Sequence, residues 1–227
     1  MKYFLFVLCL MLFVPLAFAG PCLPGTLEDY IFLGSGGCTL NTVQFQDFFL
    51  GPPASFATEI DPALIQITPS GGAFAQTLLL TFNSSANSGE VFQSIFHYSA
   101  LANPLTGASI GLGSPTVTGD GAITGILDVC AGGLFLGVEP IGCSGTPGTA
   151  IAFAIETDAQ LSSGLSFAPT SFFDVFVDIT IDGGLSGSAF LDSAAVTQTT
   201  PEPATLLLVG LTLGILGTVK LRRQRRH

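Results

Sequence analysis

From Phe172 to Asp182 the side chains alternate in character. Phe173, Val175, Val177, Ile179 and Ile181 make one set, and Asp174, Phe176, Asp178, Thr180 and Asp182 the other. A period of two marks an extended strand with one buried face, because successive Cβ atoms leave a pleated chain on opposite sides. Thr149 to Glu156 repeats the pattern, with Ile151, Phe153 and Ile155 opposed to Ala150, Ala152, Ala154 and Glu156. Apolar segments at 28–33, 42–50, 63–68, 76–82, 90–99, 107–112, 116–118, 122–130 and 185–197 read as further, less regular strands. Turn chemistry separates them: Gly51-Pro52-Pro53, Pro69-Ser70-Gly71-Gly72, Asn83 to Gly89, Gly119-Asp120-Gly121 and Asp182-Gly183-Gly184. No amphipathic helix of three turns interrupts the series. The expected fold class is all-β, a single β-sandwich or jelly-roll-like ectodomain. Its core volume comes from phenylalanine, since the chain has 20 Phe and no Trp.

Charge is distributed as sharply as hydropathy. All six Lys and Arg stand at the ends, at Lys2, Lys220, Arg222, Arg223, Arg225 and Arg226. Gly20 to Thr200 contains neither residue, yet holds all 16 Asp and Glu except Glu202, for a formal charge of −15 with His97 neutral. Such a surface repels phosphate backbones, so no nucleic-acid partner is expected. Cations are its natural counterparts. With no Lys or Arg available for internal ion pairs, the carboxylates are expected in solvent, in turns or facing cations.

Both termini read as targeting segments. Lys2, the apolar run Tyr3 to Val14, Pro15 and the small-x-small triplet Ala17-Phe18-Ala19 form a signal peptide, with cleavage expected after Ala19 by signal peptidase following export through the Sec translocon. At the other end, Pro201-Glu202-Pro203 precedes an apolar run from Ala204 to Val219 and the basic tail Lys220, Arg222, Arg223, Arg225, Arg226. Sixteen helical residues span about 24 Å, somewhat under a hydrocarbon core of ~30 Å, and Leu221 with a snorkelling Lys220 extends the stretch. The basic cluster stays cytoplasmic by the positive-inside rule. The two ends therefore agree in placing the middle of the chain outside the inner membrane. The expected organisation is a signal peptide over 1–19, an acidic β-rich extracytoplasmic domain over 20–191, a linker over 192–200 and a tail over 201–227 with a transmembrane helix at about 204–221.

The ordered triad of Pro201-Glu202-Pro203-Ala204-Thr205, a Leu/Gly-rich helix and an Arg-rich end resembles the PEP-CTERM sorting signal. The resemblance covers residues 200–227 only. It implies recognition by an exosortase, a membrane-embedded cysteine transpeptidase or protease, and cleavage near Pro201-Glu202-Pro203. It also implies a single-pass inner-membrane precursor and a product at the cell surface or in an extracellular, biofilm-type matrix rich in exopolysaccharide. The two prolines fit the role physically, because neither continues a strand or enters a helix interior, leaving an extended segment open to a processing enzyme.

Cys9 leaves with the signal peptide, and Cys22, Cys38, Cys130 and Cys143 remain. Four cysteines in an oxidising compartment suggest two disulfides with three possible connectivities. The local pairs Cys22–Cys38 and Cys130–Cys143 are favoured because each closes a Gly-rich loop, at about 3 kcal/mol per bridge. No Cys-x-x-Cys spacing supports zinc, and no metal site is expected. No catalytic residue is identified either. His97, the one exported histidine, lies within an apolar strand segment, and no Gly-x-Ser-x-Gly elbow occurs. Asp174, Asp178 and Asp182 share a strand face but are spaced ~13 Å apart along it, so they cannot hold one ion alone. Asp182-Gly183-Gly184 and Gly119-Asp120-Gly121 are the turns in which Ca²⁺ would be sought, and no other cofactor is expected. The reading is a non-enzymatic exported surface or matrix protein associated with exopolysaccharide. The alternatives are a carbohydrate- or calcium-binding module, with Tyr30, Tyr98 or a surface Phe stacking on sugar, and a hydrolase built on two carboxylates in a cleft.

Overall fold

The computed structural model describes residues 19–137 and 140–201. The signal core Tyr3 to Val14, Ala17, Glu202, Pro203, the apolar run 204–221 and the basic tail Lys220 to Arg226 lie outside the described residues. Among the described residues no helix is long and apolar enough to cross a membrane.

The fold is almost wholly β. The N-terminal part comprises β1 (Gly20–Pro21), β2 (Gly25–Thr26), α1 (Leu27–Phe32), β3 (Cys38–Leu40), β4 (Val43–Leu50), β5 (Thr58–Glu59) and β6 (Gln66–Gly71). Four strands follow in succession: β7 (Ala75–Ala86), β8 (Val91–Gly113), β9 (Thr116–Thr118) and β10 (Ala122–Ala131). The last are β11 (Thr146–Ile155), β12 (Asp158–Gln160), β13 (Ser162–Asp182) and β14 (Ser188–Thr199). They hydrogen-bond into one sheet along the path β12-β11-β10-β13-β8-β14-β7-β6-β2, with β4 also paired to β8.

The sheet curls into two facing layers because its two longest strands pass through both. Residues 91–101 of β8 pair with 172–182 of β13 in the first layer, and 107–111 of β8 with 162–166 of β13 in the second. Register shifts between Ser166 and Phe172 mark the corner. Pro104 and Pro169 lie there, each without a backbone N–H to give to a ladder. The layers meet at small residues. A Cβ on Gly125 of β10 would approach Ile110 and Leu112 of β8 at 3.1 Å, and one on Gly148 of β11 would meet Phe167 of β13 at 2.8 Å. Phe96, Tyr98, Phe173, Val175 and Val177 from one layer and Leu78, Leu80, Ile110, Leu191 and Val196 from the other are buried in the shared core. Both cysteine pairs are bridged locally, Cys22 to Cys38 and Cys130 to Cys143.

Two expectations are corrected. The segment 28–33 is helical, not a strand. Thr26 Oγ1 accepts from Asp29 N at 3.1 Å while Asp29 Oδ2 accepts from Thr26 N at 2.8 Å, a capping box that starts α1. The bonds that Thr26 N and Thr26 Oγ1 donate to Asp29 Oδ2 hold the Asp29 carboxyl below its ordinary pKa. The second correction concerns 192–200, expected as a linker. It forms most of β14, a strand paired on both sides, to β7 and to β8, so the folded domain continues to Thr200. Its Ser, Thr and Gln content resembles a linker, but Ala194, Val196 and Gln198 are buried in alternation.

Candidate functional site

The outer face of the first layer carries the polar set that the alternation of β13 presents. Asp174, Phe176, Asp178 and Thr180 lie opposite Ser99, His97, Ile95 and Gln93 of β8, and Asp128 of β10 lies opposite Phe176. Two loops rise beside this face. One follows β4 and brings Pro52, Pro53 and Ala54; the other is closed by the Cys130–Cys143 bridge and brings Pro140 and Ile141. Between them, over a floor of Gln93, Ile95 and Phe176, runs a groove of about 420 Å³.

Both walls are pinned by side chains of the sheet. Gln93 Oε1 accepts from Ala54 N at 2.7 Å, while Gln93 Nε2 donates to the two carboxylate oxygens of Asp178 at 2.9 and 3.0 Å. Gly51 N also donates to Ile95 O at 2.9 Å. On the other wall, Phe135 N donates to Asp174 Oδ2 at 2.8 Å, and Ser144 N to Leu134 O at 3.0 Å. Asp174 Oδ1 is bonded to His97 Nε2, and Ser99 Oγ reaches the same oxygen at 3.4 Å. The imidazole packs against Phe49 and Phe176, with ring centroids at 4.2 and 4.8 Å. Its Nδ1 is buried without a hydrogen-bond partner. The wall residue Ile141 is exposed, at 65% accessibility, and Pro52 and Pro140 are exposed beside it.

Burial pushes the Asp178 carboxyl above its usual pKa, against the hydrogen bonds from Gln93 and Thr180 and with a further upward push from Asp128. Burial raises Asp128 in the same direction, partly offset by its bond from Thr149. The two carboxylates are diagonal neighbours on β10 and β13, roughly 7–8 Å apart at Cα. Both are already engaged, and neither lines the groove.

Other residues singled out from sequence lie apart from this face. Asp182 accepts from Gly184 N at 2.8 Å, and Asp120 takes Leu185 N and Ser186 N at 2.9 and 2.8 Å. These carboxylates lock turns, and backbone bonds hold Asp120 below its ordinary pKa. Among the described residues no group of three or more His, Cys, Asp or Glu gathers to hold a metal. Tyr30 and Tyr98 are buried, so neither can stack on a sugar; among the described residues Phe56 and Phe32 are the exposed aromatics. Ala19 is half-buried and Pro201 exposed at the two limits of the described chain. The groove-forming residues Gln93, Pro52, Pro53 and Ile141 were not singled out from sequence as a site, because they converge only once β4, β8 and β13 are in register.

No curated protein matches the chain. Among solved structures, similarity is found to a module described as TmCBM61 in complex with β-1,4-galactotriose, at 9% identity, 67% coverage of this chain, 86% of that one and a TM-score of 0.28. A xylan-binding CBM22-1 domain of Paenibacillus barcinonensis Xyn10C gives 11% identity, 82% and 99% coverage and a TM-score of 0.25. The Clostridium thermocellum xylanase 10B structure containing CBM22-1 and GH10 modules gives 11%, 69% and 26% coverage and 0.26. We draw no ligand from likenesses this distant, since unrelated functions share such architectures. The tail stands differently: residues 199–226 match the model of the PEP-CTERM protein-sorting motif.

Proposed function

We propose that the chain is exported, held in the inner membrane by its tail, processed by an exosortase at Pro201-Glu202-Pro203, and displayed at the cell surface or in an exopolysaccharide matrix as a non-enzymatic domain. The match of residues 199–226 to the sorting motif carries this reading. The charge map supports it, with every Lys and Arg at the termini and the acidic middle on the outside. The test is the intact mass of the protein from the outer fraction of its host. The expected product starts at Gly20, ends between 200 and 204 and gains four hydrogens on reduction. A product retaining Lys220 to His227 overturns the reading in favour of a permanently anchored ectodomain.

A second reading, a binding module for neutral polysaccharide, is favoured by one observation: the groove whose walls are fixed by Gln93, Asp174 and the Cys130–Cys143 bridge. Fixed walls reduce the ordering cost of binding. Apolar rim residues suit the CH faces of sugar rings, and the lack of Lys and Arg disfavours uronate or phosphate polymers. On a glycan array, Ile95→Ala and Ile141→Ala, both at the groove, would reduce binding of a neutral polymer at least about tenfold. Unchanged binding in both variants rules out the groove.

A further inference from the structure

The folded domain reaches the sorting motif without a spacer. Thr199 is paired to Ala75 on β7 and to Gly107 on β8, and Thr200 N donates to Phe74 O at 2.9 Å. One residue earlier, Gln198 is fully buried, with Nε2 donating to Tyr98 OH at 2.7 Å. Four peptide steps separate Thr200 from Ala204, where the apolar run begins, and an extended chain of that length spans at most ~14 Å. The headgroup layer on one side of a bilayer is itself about 5–8 Å thick. An inserted tail therefore brings the corner of the sandwich, where β14 ends, down to the headgroups.

The surface at that corner suits the location. Residues 39–42, 70–77, 101–111 and 162–172, which meet there, contain no charged side chain in a domain of formal charge −15. Asn41 Nδ2 donates to Gly72 O at 3.2 Å, joining two of these segments. Asn41, Thr42, Gly71 to Ala73, Ser166, Ala168 and Pro169 are exposed. Four acids stand at the opposite end. Glu90, Asp120, Glu156 and Asp182 lie in or beside the turns where β7, β10, β11 and β13 meet their neighbours farthest from Thr199. An anionic leaflet repels carboxylates within a Debye length of ~8–10 Å, and these four lie beyond it, a strand's length of about ten residues away.

We infer that in the precursor the uncharged corner formed by the turn at Asn41, the hairpin at Gly71–Ala73 and the bulge at Ser166–Pro169 is a membrane-apposed surface resting on the lipid headgroups. The inference rests on the proposed insertion of the tail. It makes the headgroup layer the place where Pro201-Glu202-Pro203 is presented for cleavage, and it turns the end that carries Glu90, Asp120, Glu156 and Asp182 away from the lipid.

The test compares the full chain with a full chain carrying ten Gly/Ser residues between Thr200 and Pro201, both in nanodiscs of phosphatidylethanolamine and phosphatidylglycerol, by hydrogen–deuterium exchange. The insertion adds roughly 17 Å of r.m.s. reach and lifts the corner off the lipid. Exchange of residues 71–74 and 166–170 is expected to be at least about fivefold slower in the natural chain, with the far turns at 87–90 and 183–186 unchanged. Equal exchange at the corner in two membrane-inserted chains overturns the apposed surface while leaving the sorting reading intact. Failure of both chains to insert, read by extraction at alkaline pH, overturns both.

Discussion

If β14 is a structural strand and not a spacer, ending the chain at Asp192 should abolish folding, whereas ending it at Thr200 should not. The shorter chain loses every β14–β8 pair from Ser193 to Thr199 and the β14–β7 pairs over the same residues. An antiparallel ladder supplies on average one bond per pair, so the loss is about 14 hydrogen bonds at ~1 kcal/mol net each. Burial of Val196 adds a further 1.5–3 kcal/mol or so. Against a total stability of about 5–15 kcal/mol for a domain, nothing is left over. Both chains, starting at Gly20 and exported to an oxidising compartment, would be compared by circular dichroism and urea unfolding. The longer chain should show a β spectrum and one cooperative transition, the shorter neither. A cooperative transition for the 20–192 chain within ~1 kcal/mol of the longer one would refute the reasoning and restore the spacer.

Further outcomes follow from single features. Gly107→Ala places a Cβ 2.6 Å from Thr199 Oγ1 and 2.7 Å from Leu165 O, so urea unfolding should show a loss of about 1–3 kcal/mol, while Gly72→Ala, with nothing near its Cβ, should be close to neutral. Burial raises the folded-state pKa of Asp178 above its unfolded value, so its contribution to stability is fully present below the unfolded pKa of ~3.9 and lost as pH rises through the folded one; thermal melts between pH 3.5 and 7 should show a gain on acidification that is smaller in Asp178→Asn. Reducing Cys130–Cys143, whose partners are 13 positions apart in sequence, should cost about 3 kcal/mol by loop entropy and lower Tm by roughly 6–12 °C. Because the folded interior contains no Lys or Arg ion pair, NaCl between 10 mM and 0.5 M should raise Tm by screening self-repulsion, and a fall in Tm would mean that attractive charge contacts dominate.

What the sequence disclosed and what it hid divide along the range of the interactions. The strands at 146–155 and 172–182 are legible because alternation is a local property, and the local cysteine pairs because each closes a Gly-rich loop. Helix α1 was misread as a strand from its apolar residues, although the three-residue spacing of Thr26 and Asp29 carried the signal of a capping box. β14 was legible over 188–197, inside the segment 185–197 read as a strand, but its end was masked by composition: Gln198 looks like a spacer residue, yet it is buried because Tyr98, a hundred positions away, receives its amide. The segments at 90–99 and 107–112 read as two strands because Pro104 interrupts them, whereas they are one strand turning between layers. The His97–Asp174 pair and the Gln93–Asp178 clamp depend on the β8–β13 register, which no local pattern fixes.

The absence of Lys and Arg explains how the acids are used. A buried carboxylate needs donors, and here they come from amides, hydroxyls and one imidazole. Asp174 takes Phe135 N and His97, Asp178 takes Gln93, Asp120 takes Leu185 N and Ser186 N, and Asp61 takes Ala63 N. Each of these bonds ties one strand to the next, joins a loop to a strand or closes a turn, and none requires a cation. Loops held this way keep their shape in a medium whose ions would compete with salt bridges. The groove walls are two of the loops so fastened, and the exposed Glu90, Asp120 and Glu156 stand at the end farthest from the tail. A domain released from the membrane would thus carry a preformed groove on one face and a repulsive, solubilising charge at one end, two properties that follow from the same exclusion of basic residues between Gly20 and Thr200.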